Sequence, residues 1–204
     1  MNIKHYLFIG LSVLGLASCT EEDDEAFDEG TWRAVNETYF EQAYQAHPEK
    51  SESSFILPSW TQPASLSLSD IDHTKSILVD VVKDGTGDKS PYYTDTVLVH
   101  YVGRLIPTEG YPDGYEFDKS YLSAYDPDVD VPYKVAVNGN GVVEGFSTAL
   151  QHMNRGDEWI VTVPYQLGYG TSGSGTVVIP GYSTLIFQIR LVDFWTKKRG
   201  DRKD

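Results

Sequence analysis

Phe117 and Asp118 stand side by side in the stretch "TVLVHYVGRLIPTEGYPDGYEFDKS" (96–120). A carboxylate directly after a phenylalanine, beside a strand that carries Tyr101, is an unusual thing to place near a core. It could present negative charge at a binding surface, or it could order a turn. On pattern alone, the turn carboxylate is the better supported of the two. Other chemistries find no footing. The five histidines (5, 47, 73, 100, 152) have no metal-ligand spacing, so no metal is expected. Cys19 is the single cysteine, which excludes a disulfide framework and argues against thiol catalysis. "GYGTSGSG" (168–175) is rich in glycine but lacks the Lys-Ser/Thr pair and the following helix of a phosphate cradle. Ser172 and Ser174 have no base near them in any motif. What remains is a set of aromatic residues, Tyr101, Phe117, Tyr133, Phe146, Tyr169 and Phe187, which could be plain core or the walls of an apolar pocket. No cofactor is expected.

The elements that must position these residues can be read from periodicity. "SILVDVVKDGTGD" (76–88) is an alternating strand closed by glycines. "DTVLVHYVGRL" (95–105) puts Val97, Val99 and Tyr101 on one face, leaving His100 on the other, where an exposed role is expected. "PYKVAVNG" (132–139) groups Tyr133, Val135 and Val137. "DEWIVTVP" (157–164) and "STLIFQIRLVDF" (183–194) are two further strands, the second turning Leu185, Phe187, Ile189 and Leu191 inward. Between the third and fourth strands, Phe146, Ala149, Leu150 and Met153 form a short helical stripe, with Gly156 as the expected stop. Five strands, one short helix and no alternation of strand with helix predict an α+β fold: an antiparallel sheet with a helix on one face. Upstream, Trp32, Val35, Tyr39, Phe40, Ala43 and Tyr44 mark an amphipathic helix over 30–46, ended by His47-Pro48. So aromatic a helix needs a surface to bury against, either the following domain or a second copy. Residues 48–75 read as a connector, with 55–60 as an anchor point.

The ends of the chain bear on location. Residues 1–18 have Lys4, an apolar run from Tyr6 to Leu16 and small residues before Cys19, the form of a secretory signal peptide. Leu16-Ala17-Ser18-Cys19 resembles a bacterial lipobox, which implies cleavage before Cys19 and its acylation. Residues 19–29 then form an acidic tether, similar to the export signal of surface lipoproteins in the Bacteroidetes. The expectation is a chain anchored by lipid in the cell envelope, in the outer membrane, with the periplasmic and surface faces both open. The formal charge of −14 excludes nucleic-acid or anionic-lipid binding through a basic patch. Only the tail, 196–204, is basic.

The fragments "VHYVGRL", "GYEFDKSY", "PYKVAVNGNGVVEGFSTALQHMNRGD" and "VTVPYQLGYGTSG…VVIPGYSTLIFQIRLVDF" occur in one order and resemble the FKBP-type peptidyl-prolyl cis-trans isomerases from about Ile77 to Phe194. The resemblance implies a half-barrel of five antiparallel strands wrapped around the short helix, within a domain spanning 76–195 after a helical extension and connector at 30–75. It implies a catalytic set of Tyr101, Phe117, Asp118 and Tyr169, and substrate contacts from Tyr133, Val142, Val143, Phe146, Ile179 and Phe187. On this reading Asp118 accepts a hydrogen bond from Tyr101 at the pocket rim, and the partners are proline-containing polypeptides, with rapamycin-type macrolides as inhibitors.

Three departures from the family pattern stand out. Phe146 replaces the usual indole floor, the segments 106–113 and 119–131 are longer than usual, and no arginine follows Phe117-Asp118 within 119–131. A binding or chaperone lipoprotein of the same fold with little turnover is the alternative these departures favour. A glycan-binding surface lipoprotein is a third class, drawn only from the acidic tether and the many tyrosines.

Overall fold

The computed structural model describes residues 29–138, 141–175 and 178–195. Cys19, the signal and nearly all of the acidic tether lie outside the described residues, as does the basic tail.

The sheet has seven strands, all antiparallel. They are β1 (Ser54–Pro58), β2 (Ser76–Lys83), β3 (Thr96–Leu105), β4 (Glu116–Lys119), β5 (Tyr133–Ala136), β6 (Glu158–Val163) and β7 (Leu185–Trp195). Their order is β1-β2-β6-β7-β3-β4, with β5 also paired to β3. Five strands were expected; β1 and β4 are additional. β1 lies inside the expected connector. Its sequence SFILP does not alternate, and its Pro58 sits at the end of an edge strand, where a missing N–H is tolerated.

Helix α1 (Glu29–Ala46) precedes the sheet, and α2 (Glu144–Leu150) lies between β5 and β6. A helix as short as α2 is not stable in isolation, so packing must hold it. Every residue from Gly145 to Leu150 is buried. With Ile77, Val79, Val99, Val161, Leu185 and Ile189 it forms the main core. Leu185, Phe187, Ile189 and Leu191 all face inward, as their period of two requires. Met153 is buried but lies beyond the helix, and Gly156 is not the helix stop: α2 ends at Leu150, and Gly156 (φ 92°) turns the chain into β6.

Helix α1 docks on the sheet domain of its own chain. Its buried face runs through Trp32, Asn36 and Phe40, while Val35, expected on the apolar stripe, is 47% exposed. The buried position is instead taken by the polar Asn36, whose amide is bonded at both its oxygen and its nitrogen. Oδ1 accepts from Thr184 N at 2.7 Å, and Nδ2 donates to the Trp32 carbonyl at 2.9 Å. Phe40 packs with Ile56 of β1 and Leu78 of β2.

His100 corrects another expectation. It is 2% exposed, because the 119–131 segment folds back over the outer face of β3 and lays Tyr125 across its ring, centroids 4.8 Å apart. The guanidinium of Arg190, paired with His100 across β3 and β7, also lies on the Tyr125 ring, at 4.3 Å.

Candidate active site

The inner face of β3 carries Tyr101 toward α2, and an edge-to-face chain of rings grows from it. Tyr101 meets Tyr133 at 5.9 Å and Phe146 at 5.7 Å. Phe146 meets Phe187 at 5.2 Å, and Phe187 meets Phe117 at 5.7 Å. Perpendicular rings place positive edges on negative faces, which fixes the walls in their angles. Phe146, on α2, is the buried floor. Together with Asp118, Val142, Val143 and Tyr169 these residues line an open cleft.

Phe117 and Asp118 both line this cleft although they are adjacent in sequence. A regular strand would send them to opposite faces. The register of β3 on β4 shifts between Gly103, opposite Asp118, and Arg104, opposite Glu116. The extra residue makes a bulge, and a bulge re-aims side chains in this way. Asp118 accepts from the Tyr101 hydroxyl at 2.6 Å. The next turn of chain is fastened to the same residue, because Ser120 N donates to the Tyr101 carbonyl at 3.0 Å and Tyr101 N donates to Ser120 Oγ at 2.9 Å.

Burial, the bond to Asp118 and the Asp118 charge all push the Tyr101 phenol far above its ordinary pKa. Burial, then Asp118, raises that of Tyr169. Both phenols therefore remain protonated donors. Among the described residues no cation pairs with Asp118. Arg104 and Lys119, its neighbours across and along the sheet, bond to Glu116 instead, at 3.2 and 2.7 Å. The cleft is thus an aromatic cage with one exposed, unneutralised carboxylate on its rim.

Of the ten candidate pocket residues, nine line the cleft. Ile179 does not. It is a buried core residue, bridged to Ser174. Val135 and Gly141 line the cleft and were not among the candidates. Val135 shares the face of Tyr133, which period two already implied. Gly103 was also missed. A Cβ there would lie 2.6 Å from the Phe117 ring and 2.9 Å from Phe187, so only glycine lets Phe117 close the wall. A glycine inside the strand "VHYVGRL" was the signal for such a close approach.

Comparison with known proteins agrees with this geometry. Residues 87–192 match the FKBP-type peptidyl-prolyl cis-trans isomerase family, and the chain belongs to it. It is 37% identical over 113 residues to the FKBP-type 22 kDa peptidyl-prolyl cis-trans isomerase of Escherichia coli, covering 55% of this chain and 47% of that protein. It is 38% identical over 108 residues to the macrophage infectivity potentiator of Trypanosoma cruzi, covering 53% and 47%. The chain thus spans about half the length of these relatives. Among solved structures, a peptidyl-prolyl cis-trans isomerase of Pseudomonas syringae superposes with a TM-score of 0.55 at 27% identity, over 82% of this chain and 96% of that one. FkpA of Escherichia coli gives the same score and identity over 82% of this chain and 61% of its own.

Proposed function

We propose that this chain catalyses cis–trans isomerisation of X-Pro bonds. Rotation about such a bond breaks amide resonance and takes on the order of tens to hundreds of seconds uncatalysed. The reaction makes no covalent bond and moves no proton. It requires only that the twisted amide be bound better than either planar form. The planar amide is the more dipolar, so an apolar cleft disfavours it relative to the twist. The observation that carries the reading is the ring cage floored by Phe146 with Asp118 on its rim. The rings grip the proline. The Tyr169 hydroxyl and the Val143 N–H hold substrate carbonyls, and Asp118, fixed by Tyr101, faces the twisting carbonyl carbon with negative charge. A thousand-fold acceleration needs only about 4 kcal/mol of differential binding.

Exchange on proline peptides, followed by NMR, tests this. Acceleration over buffer that a rapamycin-type macrolide abolishes is expected; none on peptides with several residues before proline refutes it. The alternative, a binding or chaperone lipoprotein with little turnover, draws on the unneutralised Asp118 and would show macrolide binding without acceleration.

We further infer an envelope lipoprotein of the kind found in the Bacteroidetes, anchored through Cys19 in the outer membrane and acting on envelope or secreted proteins. The support is the sequence Leu16-Ala17-Ser18-Cys19 and the acidic residues after it. A Cys19→Ala variant should leave the membrane fraction. Its retention, with no acyl mass on the wild-type protein, would refute the anchor. Protease shaving of intact cells distinguishes the two faces.

A further inference from the structure

We propose that a second groove, beside the cleft, binds an apolar residue of the same polypeptide about four residues from its proline. The proposal rests on the isomerase reading and adds to it a preference for what flanks the X-Pro bond.

The groove has a volume of about 350 Å³ and is lined by Trp32, Leu105, Tyr111, Tyr115, Val178 and Pro180 among others. It continues the face that holds the cleft. Along β3, Tyr101 lines the cleft, Gly103 lies under the Phe117 ring, and Leu105 lines the groove. Alternate residues of a strand share a face, so these three stand in one row. Just before β4 the match holds. Leu105 N donates to the Tyr115 carbonyl at 2.9 Å, which sets Tyr115 opposite Leu105 and next to Phe117. Phe117 is then the partition between two sites, one on each side of it.

The far wall of the groove is fixed before any ligand arrives. Trp32 Nε1 donates to Ser183 Oγ at 3.1 Å, and Ser183 Oγ donates to the Pro180 carbonyl at 2.7 Å. Those polar groups are occupied, and carbon surface is what remains. Tyr111 and Tyr115 stand edge to face at 5.1 Å. Tyr111 is 54% exposed and Val178 78%, an apolar patch of the kind that marks interaction sites. Trp32 lies outside the residues matched to the family, 87–192.

A polypeptide with its proline in the cleft must leave across the rim, and on the Phe117 side it arrives at this groove. Tyr101 and Leu105 are four residues apart on an extended strand, roughly 14 Å, which an extended ligand also spans in about four residues. Glu109 and Asp113 flank the groove in sequence, and the chain carries −14, so the segment bound is apolar and not acidic.

The test uses the full chain in detergent and a series of X-Pro peptides in a glycine-serine background. One phenylalanine is moved from two to six residues away from proline, on either side. We expect kcat/KM to rise about ten-fold, less than full burial of a phenylalanine would give, and to peak near four residues on one side. Tyr111→Ser and Val178→Ser, both at exposed positions, should abolish the peak and leave the short peptide's kcat/KM unchanged. A flat series overturns the proposal, as do variants that lower short and long peptides alike. So does a peak that appears only with Phe27→Ser, which would assign the groove to this chain's own acidic tether, 19–29. A dimer that dissociates on Tyr111→Ser would assign it to a second copy and likewise overturn it. If no peptide turns over, the isomerase reading fails separately. The Trp32 indole N–H signal then still decides the groove, shifting with the four-residue peptide in support or staying fixed against it.

Discussion

Two clusters of aromatic residues meet the sheet, and they are completed differently. At the seam of α1, Phe40 is closed over by Ile56 and Leu78, and the Asn36 amide accepts from Thr184 N and donates to the Trp32 carbonyl. In the cleft, Tyr101, Phe117 and Tyr133 keep part of their surface in solvent, and Asp118 holds one phenol with the rest of its carboxylate exposed. The same residue types thus make structure where they pack against the sheet, and a site where apolar surface and charge are left over. Asn36 should therefore govern stability alone, and Asp118 turnover alone.

The largest expected effect is at the seam. Asn36→Ala orphans the Thr184 N–H, which is buried, and removes the bond to the Trp32 carbonyl. An unpaired buried amide costs about 1–3 kcal/mol, so a loss of about 2–3 kcal/mol in unfolding free energy is expected. Exchange catalysis per folded molecule should be unchanged. Chemical denaturation paired with the NMR exchange assay checks both. A fall in turnover with stability intact would break the contrast, because α1 would then belong to the site.

Next comes the rim. Asp118→Leu keeps bulk and removes the charge that faces the cleft. Turnover should fall about ten-fold, equivalent to about 1.4 kcal/mol of transition-state stabilisation. The melting temperature should stay within a few degrees, since the carboxylate is exposed and its one bond is to a rim phenol. If instead stability drops and turnover per folded molecule survives, Asp118 is only a turn carboxylate.

These two residues also show where the sequence was readable. The strands whose one face meets the core announced themselves by period two, and β6 and β7 follow it, whereas β2 is buried on both faces over Ser76–Val79, where Leu78 also meets Phe40. β4 broke the period because of its bulge, the feature that brings Phe117 and Asp118 to one side. Family motifs found the pair where periodicity could not. Asn36 was invisible for the opposite reason: on a helical stripe a polar residue reads as surface, and only the backbone of Thr184, far away in sequence, makes burying it favourable. Ile179 is buried with the core although the resemblance implied a substrate contact, because a motif position carries a residue's place in the chain and not the direction of its side chain. His100 shows a further limit. Alternation assigned it correctly to the outer face of β3, but nothing local says that Tyr125 returns to cover that face.

His100 supplies the smallest effect and separates the two faces of one strand. Burial lowers its proton affinity, opposed by Asp130, and Arg190 lowers it further. Ser120 Oγ lies 3.4 Å from its Nδ1, and the Tyr125 ring covers it. Its pKa in the fold is therefore below the ordinary 6.5, while the unfolded chain keeps about that value. The neutral ring favours the folded state. That contribution is whole above about pH 6.5 and is lost as pH falls from there through the folded pKa, because the unfolded state then binds the extra proton. The loss cannot exceed about 1.4 kcal/mol per pH unit. Melting curves of the wild type and His100→Gln between pH 8 and pH 5 should converge on acidification, the wild type losing more. Tyr101, one residue along and on the other face, cannot produce this signal, because its phenol is shifted upward and keeps its proton throughout the same range. Parallel melting curves would mean that Tyr125 and Arg190 accommodate a charged imidazole, and that the outer face of β3 tolerates charge as readily as the cleft tolerates Asp118.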